Sequence, residues 1–417
     1  MDRIEATYYV ETPYPLAEAA AVMAGEQSSG TFVAIPGETE ELKMQYAARV
    51  EHISELETVT QPSLVAENLP FNKYYRGTIR VSWSSANFGN NLPVLCSTLM
   101  GNLYELRQFT GLKLIDIHIP DSYATQFRGP KFGIRGTAEL ISPESSTPLI
   151  GTIIKPSVGL SIDDTAEIVR KLAEAGIDFI KDDELMGSTA NSPFAKRVKA
   201  VMEVLNRYQD KTGKKVMYGF NISGEMDDML RNYDSVVAAG GNCAMVSLYS
   251  VGITATKRIA DIGQLAIHGH RNGWGMLNRH PLLGVSYTAY QKLWRLAGVD
   301  QLHVNGIRNK FWESDGSVIA SIKACLTPIG PIQAALPVLS SGQWGGQAMD
   351  TYQFTNTADY LYLAGGGIMA HPGGIEGGVN AIRQSWEAAM DGLSLEAAAR
   401  KYPAVQQSIE KFGKPKT

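Results

Sequence analysis

Apolar and polar residues alternate over residues 4–12, the period-2 pattern of a strand with one buried face. Residues 15–27 are rich in alanine and read as a helix, and the loop Glu26-Gln-Ser-Ser-Gly-Thr-Phe feeds a further strand. The pattern then predicts a helix over 41–56, a strand over 76–83, a helix over 91–108 and a strand over 112–119 that stops at Pro120. Strands and helices interleave here without a regular β-α-β-α order. This predicts an α+β domain with a mixed sheet, ending between residues 125 and 147.

From residue 149 the rhythm becomes regular. Apolar, β-branched runs recur at 149–155, 178–182, 215–222, 243–249, 265–270, 301–305, 334–340 and 359–364. Helical patterns separate them, at 164–175, 193–208, 226–239, 287–296 and 378–390. Eight strand-then-helix units in roughly 240 residues predict a (β/α)8 barrel. A doubly wound open sheet would alternate too, but no Gly-x-Gly-x-x-Gly turn follows the first strand.

Composition narrows the function classes. The 417 residues are 44% hydrophobic and 19% charged, a globular profile, and the net charge of −4 with no basic run argues against nucleic acid. The start, Met-Asp-Arg-Ile-Glu, lacks the build of a signal peptide. The long uncharged run 326–349 is broken by prolines, glycines and glutamines and does not read as a membrane span. Cys96, Cys243 and Cys325 form neither a disulfide framework nor a zinc pattern, so a cytoplasmic protein with core cysteines is expected.

In a barrel the chemistry comes from the C-terminal ends of the strands. Here these ends offer Lys155, then Lys181, Asp183 and Glu184 in Phe-Ile-Lys-Asp-Asp-Glu, then Asn221, His270-Arg271, His303 with a loop carrying Lys310, Ser340-Ser341-Gly342 and Gly365-Gly366-Gly367. Singly, each has a plain reading: a charged strand end, a satisfied core histidine, a tight glycine turn. Together they describe one polar mouth. Two carboxylates beside a lysine make a hard-cation site in which the lysine is out of place unless paired or modified. Glycine N–H groups after the seventh and eighth strands are where barrels commonly hold phosphate, and Arg271 and Lys310 add charge there. His52 and His118 lack such a context and receive no role.

The motifs Gly151-Thr-Ile-Ile-Lys-Pro, Phe179-Ile-Lys-Asp-Asp-Glu, His268-Gly-His-Arg, the loop from His303 to Lys310, and Leu363-Ala-Gly-Gly-Gly resemble the RuBisCO large subunit, and more closely the RuBisCO-like proteins. The resemblance covers nearly the whole chain. It implies a ferredoxin-like α+β domain over residues 1–135 and a (β/α)8 TIM barrel over 136–417. It further implies that CO2 carbamylates Lys181 and that the carbamate, Asp183 and Glu184 bind Mg2+, which stabilises an enediolate. The carbamate oxygen would serve as base, with Lys155 and His270 as proton donors or acceptors. Arg271, His303 and Ser341, with Gly342 beside them, would match one phosphate site. Gly366, Gly367 and Thr31 would match the other, under Lys310 on a mobile loop. Glu26, Thr31 and Asn102 would complete the pocket from the neighbouring chain of a homodimer or larger homo-oligomer.

Departures from the carboxylase pattern bear on the reaction. Ser157 stands where carboxylases have a second lysine, Phe32 where they have tryptophan, and Gln343 where they have a second glycine. The Lys310 loop, Asn-Gly-Ile-Arg-Asn-Lys-Phe-Trp, lacks the glycine before the lysine. Loop closure and gas addition are therefore in question, whereas metal binding and enolisation are not. The leading expectation is decarboxylation of a phosphorylated 3-oxo sugar acid such as 3-oxo-isoapionate 4-phosphate, as in apiose breakdown. Isomerisation or enolisation of a methylthio-ribulose-type phosphate in methionine salvage comes second, and carboxylation of ribulose bisphosphate third. A non-catalytic binding protein on the same scaffold is disfavoured because Lys181, Asp183 and Glu184 are all present.

Overall fold

A computed structural model describes residues 2–29, 36–64, 72–141 and 147–415. Its strands are β1 (Arg3–Thr12), β2 (Arg49–Val59), β3 (Tyr74–Ser84), β4 (Gly111–His118), β5 (Leu149–Ile153), β6 (Phe179–Lys181) and β7 (Met217–Asn221). There follow β8 (Cys243–Ser247), β9 (Ala266–His270), β10 (Leu283–Val285), β11 (Gln301–Asn305), β12 (Leu336–Ser340) and β13 (Leu361–Leu363). The chain divides into two compact units, one of residues 1–129, 273–297 and 328–333, the other of residues 130–272, 298–327 and 334–417.

The first unit is built on a five-stranded sheet in the order β10-β4-β1-β3-β2. Strand β1 behaves as its alternation predicts, with Ile4, Ala6, Tyr8 and Val10 fully buried on one face. The helix expected over 41–56 is only Glu40–Tyr46, and β2 follows it. Thr39 caps the short helix by accepting from Leu42 N, and extended backbone at Ala47 ends it. The Glu51 and Glu55 spacing fits a helix as well as a strand, but pairing with β3 decides for the strand. Likewise the helix expected over 91–108 stops at Met100, and Asn102 begins a separate 3-10 turn.

The second unit is a closed parallel barrel in the order β11-β12-β13-β5-β6-β7-β8-β9. All eight strands fall within the apolar runs of the sequence. One expected barrel helix does not: Tyr287–Leu296 belongs to the first unit with β10, which pairs with β4. It lies along that strand because Ser286 and Thr288 hydroxyls donate to Ile115 O (both 2.6 Å) and Lys292 pairs with Asp116 (2.7 Å). Within the barrel, Leu149, Phe179, Met217, Leu336 and Leu361 pack with Ile141 of the helix Gly133–Ile141. Burying each such side chain contributes about 1.5–3 kcal/mol. Asp300, at the start of β11, holds that helix by accepting from Phe132 N (2.6 Å) and Gly133 N (3.0 Å). Among the described residues no helix is long and apolar enough to cross a membrane.

Candidate active site

The site is built outward from the end of β6, where successive side chains take opposite sides. Asp182 is fully buried and anchored: Tyr218 Oη donates to Oδ1 (2.6 Å), while Asn221 N (2.9 Å) and Arg197 Nη2 (3.3 Å) donate to Oδ2. This pins the backbone between Lys181 and Asp183. Lys181 is also fully buried, and its Nζ donates to Asp182 O (2.8 Å). Burial lowers the Lys181 pKa to about 8, against the opposing pull of Glu184, Asp183 and Asp182.

Asp183 is nearly buried, with Oδ1 accepting from Leu185 N (3.1 Å). Its Oδ2 accepts from Lys155 Nζ (2.6 Å) and Ser157 Oγ (3.1 Å). Burial by itself would raise its pKa, but the Lys155 and Leu185 hydrogen bonds and the Lys155 and Lys181 charges hold it below the usual range. Glu184 is partly exposed, with Oε2 3.5 Å from His270 Nε2. Asn221 steadies the turn that carries it, donating through Nδ2 to Glu184 O and Met186 O (both 3.2 Å). The structure thus gathers Lys155, Lys181, Asp183, Glu184 and His270 at one mouth.

These residues suit a divalent cation on one condition. No group of three or more His, Cys, Asp or Glu able to hold a metal occurs among the described residues, so Asp183 and Glu184 need a further oxygen donor. Lys181 can become that donor only by modification. Its depressed pKa leaves a substantial neutral-amine fraction, the form that reacts with CO2.

The histidines form a buried chain. Gln301 turns Nε2 to Thr137 Oγ1 (3.3 Å) and Oε1 to His268 Nδ1 (2.8 Å), so His268 donates through Nδ1. His268 Nε2 then accepts from His303 Nε2 (2.8 Å), and His303 Nδ1 lies 3.3 Å from Ser340 Oγ. Burial drives both rings well below the ordinary histidine pKa, so both are neutral. His270 Nδ1 accepts from Asn272 N (3.3 Å), which places its proton on Nε2, the side of Glu184.

Arg271 Nη2 donates to Glu313 Oε2 (2.7 Å), which also accepts from Asn305 Nδ2 (2.6 Å). Ser341 has a left-handed backbone (φ 75°), and its hydroxyl donates to Asn305 Oδ1 (2.7 Å). Lys310 is exposed, its N–H on Ser341 O (3.1 Å) and its stem against Gly342. Its loop is short and tied, since the buried Gln343 donates through Nε2 to Ile307 O (3.2 Å) and accepts from Tyr362 Oη (3.1 Å). Gly366 faces open space, whereas a side chain on Gly367 would meet Gln343 O at 2.6 Å. In the other unit, Asn102 Nδ2 donates to Glu26 Oε1 (3.3 Å). Thr31 and Phe32 lie outside the described residues.

Sequence reasoning missed Asp182, Asn305 and Glu313. Asp182 was open to discovery, because a charge between two inward-facing residues of a strand must point the other way and find partners. Nothing in the sequence marks Glu313 as the partner of Arg271.

Two family profiles match the chain. They are the ribulose bisphosphate carboxylase large chain N-terminal domain, over residues 2–123, and its catalytic domain, over residues 133–412. A 3-oxo-isoapionate-4-phosphate transcarboxylase/hydrolase of Xanthobacter autotrophicus is 50% identical, covering 98% of this chain and 99% of its own. A 3-oxo-isoapionate-4-phosphate decarboxylase of Rhizobium etli is 45% identical over 98% of both. The crystal structure of a rubisco-like protein from Burkholderia fungorum matches with TM-score 0.92 and 42% identity, covering 98% of this chain and all of that one. A dimeric archaeal Rubisco from Hyperthermus butylicus matches with TM-score 0.86 and 26% identity, over 99% and 96% of the two chains. Barrel, strand-end residues and relatives agree: the chain belongs to the ribulose bisphosphate carboxylase large-chain family, as a RuBisCO-like protein.

Proposed function

We propose that the chain is a Mg2+-dependent decarboxylase of a 3-oxo sugar-acid phosphate, with 3-oxo-isoapionate 4-phosphate as the substrate indicated by its relatives. The observation that carries this reading is Lys181, buried beside two carboxylates with its pKa lowered to about 8. Carbamylated, Lys181 would join Asp183 and Glu184 in holding the ion. Bound there, Mg2+ supplies a Lewis acid that eases the build-up of negative charge as CO2 departs.

The chain's own residues handle the protons. Loss of CO2 from a β-keto acid leaves an electron pair shared between carbon and the adjacent carbonyl oxygen, and that carbon must then be protonated. The Lys155 ammonium, half exposed and 2.6 Å from Asp183 Oδ2, is the donor best placed for this. His270, held neutral by burial at a pKa of about 4, presents its Nε2 proton to a substrate oxygen on the Glu184 side. Lys310 and the Gly366–Gly367 backbone take the phosphate.

A second outcome on the same substrate has its own support, since the 50% identical relative is named a transcarboxylase/hydrolase. Substrate labelled with 13C at the carboxyl group separates the two by NMR. Decarboxylation yields labelled CO2 and bicarbonate, while transfer or hydrolysis leaves the label in an organic product. Label remaining in unreacted substrate would sink both. The working form is a homodimer or larger homo-oligomer in which Glu26, Thr31 and Asn102 of a neighbouring copy close the pocket. Three free thiols suit the reducing cytoplasm.

A further inference from the structure

The three side chains that the family resemblance assigns to one phosphate site each make a polar contact inside this barrel. Arg271 is bound to Glu313 at 2.7 Å, with the Arg271 side chain 10% and the Glu313 side chain 1% exposed. Glu313 is itself secured by Asn305 Nδ2 (2.6 Å) and Ser317 Oγ (2.8 Å). Ser341 donates to Asn305 Oδ1 (2.7 Å), and His303 is neutral and bonded to His268 (2.8 Å). A phosphate dianion placed here would meet the Arg271 guanidinium with a buried carboxylate already against it, a hydroxyl already donating, and an uncharged imidazole. Lys310 differs: it is exposed and makes no ion pair among the described residues.

Resting on the sugar-phosphate reading above, we propose that Glu313 and Asn305 determine specificity by neutralising the Arg271 end of the pocket. That end then receives a phosphate-free, hydroxyl- or carbonyl-bearing terminus, and the enzyme takes substrates with a single phosphate held on Lys310. Charge balance carries this. Arg271 and Glu313 sum to zero, so a second phosphate gains no net attraction and is repelled by Glu313 at close range. An arginine free to form two parallel bonds to phosphate would have the opposite preference.

Calorimetric binding of two unreactive probes, ribitol 5-phosphate and ribitol 1,5-bisphosphate, tests this on the full-length protein with Mg2+ and bicarbonate present. The wild type should bind the monophosphate more tightly than the bisphosphate, by about threefold or more. Glu313→Gln, which keeps the shape and the Asn305 contact, should shift the ratio of the two affinities about tenfold towards the bisphosphate. Lys310→Ala should weaken both probes alike. A wild-type preference for the bisphosphate of about a hundredfold, abolished by Arg271→Met, would overturn the proposal, and it needs no Glu313 variant to be seen. No binding of either probe would overturn it as well. Because binding is measured rather than turnover, the probe ratio stands whether or not the keto acid is decarboxylated, so the two readings fail separately.

Discussion

Carbamylation of Lys181 should follow a pH profile set by its burial. An exposed lysine with a pKa near 10.5 is about one part in 3,000 neutral at pH 7, whereas Lys181, at about 8, is about one part in ten neutral. At fixed dissolved CO2 the carbamate should therefore form roughly 300 times more readily at Lys181 than on a surface lysine at pH 7. The initial rate of its formation should rise about tenfold per pH unit below 8 and flatten above it, whereas the equilibrium level keeps rising because each carbamate formed releases a proton. The assay is 13C NMR with 13C-bicarbonate, with Lys181→Met as the blank and Mg2+ added last to show the gain from linkage. The same lowering has a stability consequence. The folded-state pKa lies below the unfolded one, so the buried ammonium costs the fold about 3 kcal/mol at pH below 8. That cost is relieved as pH rises from 8 towards 10.5. In CO2-free, metal-free buffer Lys181→Met should accordingly be more stable than wild type at pH 7, with the advantage fading near pH 10.5. An initial rate of carbamate formation that keeps climbing to pH 10, or a Lys181→Met chain less stable than wild type at pH 7, would refute the reasoning.

If Lys155 moves protons and is not a ligand, as proposed, Lys155→Ala should lower kcat by about 10²–10⁴-fold in steady-state assays while the Lys181 carbamate signal survives. At the other end of β6, Asp178 accepts from Lys214 (2.8 Å), Arg383 (3.0 Å) and Ile150 N (2.9 Å). Asp178→Ala should cost about 3 kcal/mol by urea titration, the low end for a buried pair because Lys214 and Arg383 remain 30% and 27% exposed, and KM should not change. Gln343→Gly removes the bonds to Ile307 O and Tyr362 Oη, so amide exchange over residues 306–310 should accelerate, with about 1–3 kcal/mol of stability lost.

The barrel was readable because each of its strands is buried on both faces and so appears as a continuous apolar, β-branched run. The first unit was harder. Strand β2 is an edge with mostly exposed residues, and with no buried face to write a period-2 signal, residues 41–56 passed for a helix. The segment 287–296 has an ordinary amphipathic pattern, and only its pairing partners reveal that it lies along β4 and not in the barrel. Metal-site candidates could be named because Lys181, Asp183 and Glu184 are neighbours in sequence. The Arg271–Glu313 pair spans 42 positions, and no local pattern encodes a contact at that separation.

The strand-end residues have departed unequally from the carboxylase pattern. At the end of β6, Asp182 clamps the backbone through Tyr218 and Arg197, and burial lowers the Lys181 pKa, which are the supports that the electron sink of the proposed reaction would need. Around that sink the changes run one way. Ser157, in place of a second lysine, shares Asp183 with Lys155. Gln343, in place of a glycine, ties the Lys310 loop to Ile307 and Tyr362. Glu313 cancels Arg271. Adding a gas to an enediolate requires a closing loop that keeps water and protons from the carbanion before CO2 arrives. Releasing CO2 requires the reverse, a proton delivered promptly once the bond has broken, and a tied loop beside a half-exposed Lys155 permits that. On the proposed reading, the residues over and around the sink would set the direction of the carbon–carbon step, while the sink itself would serve both directions.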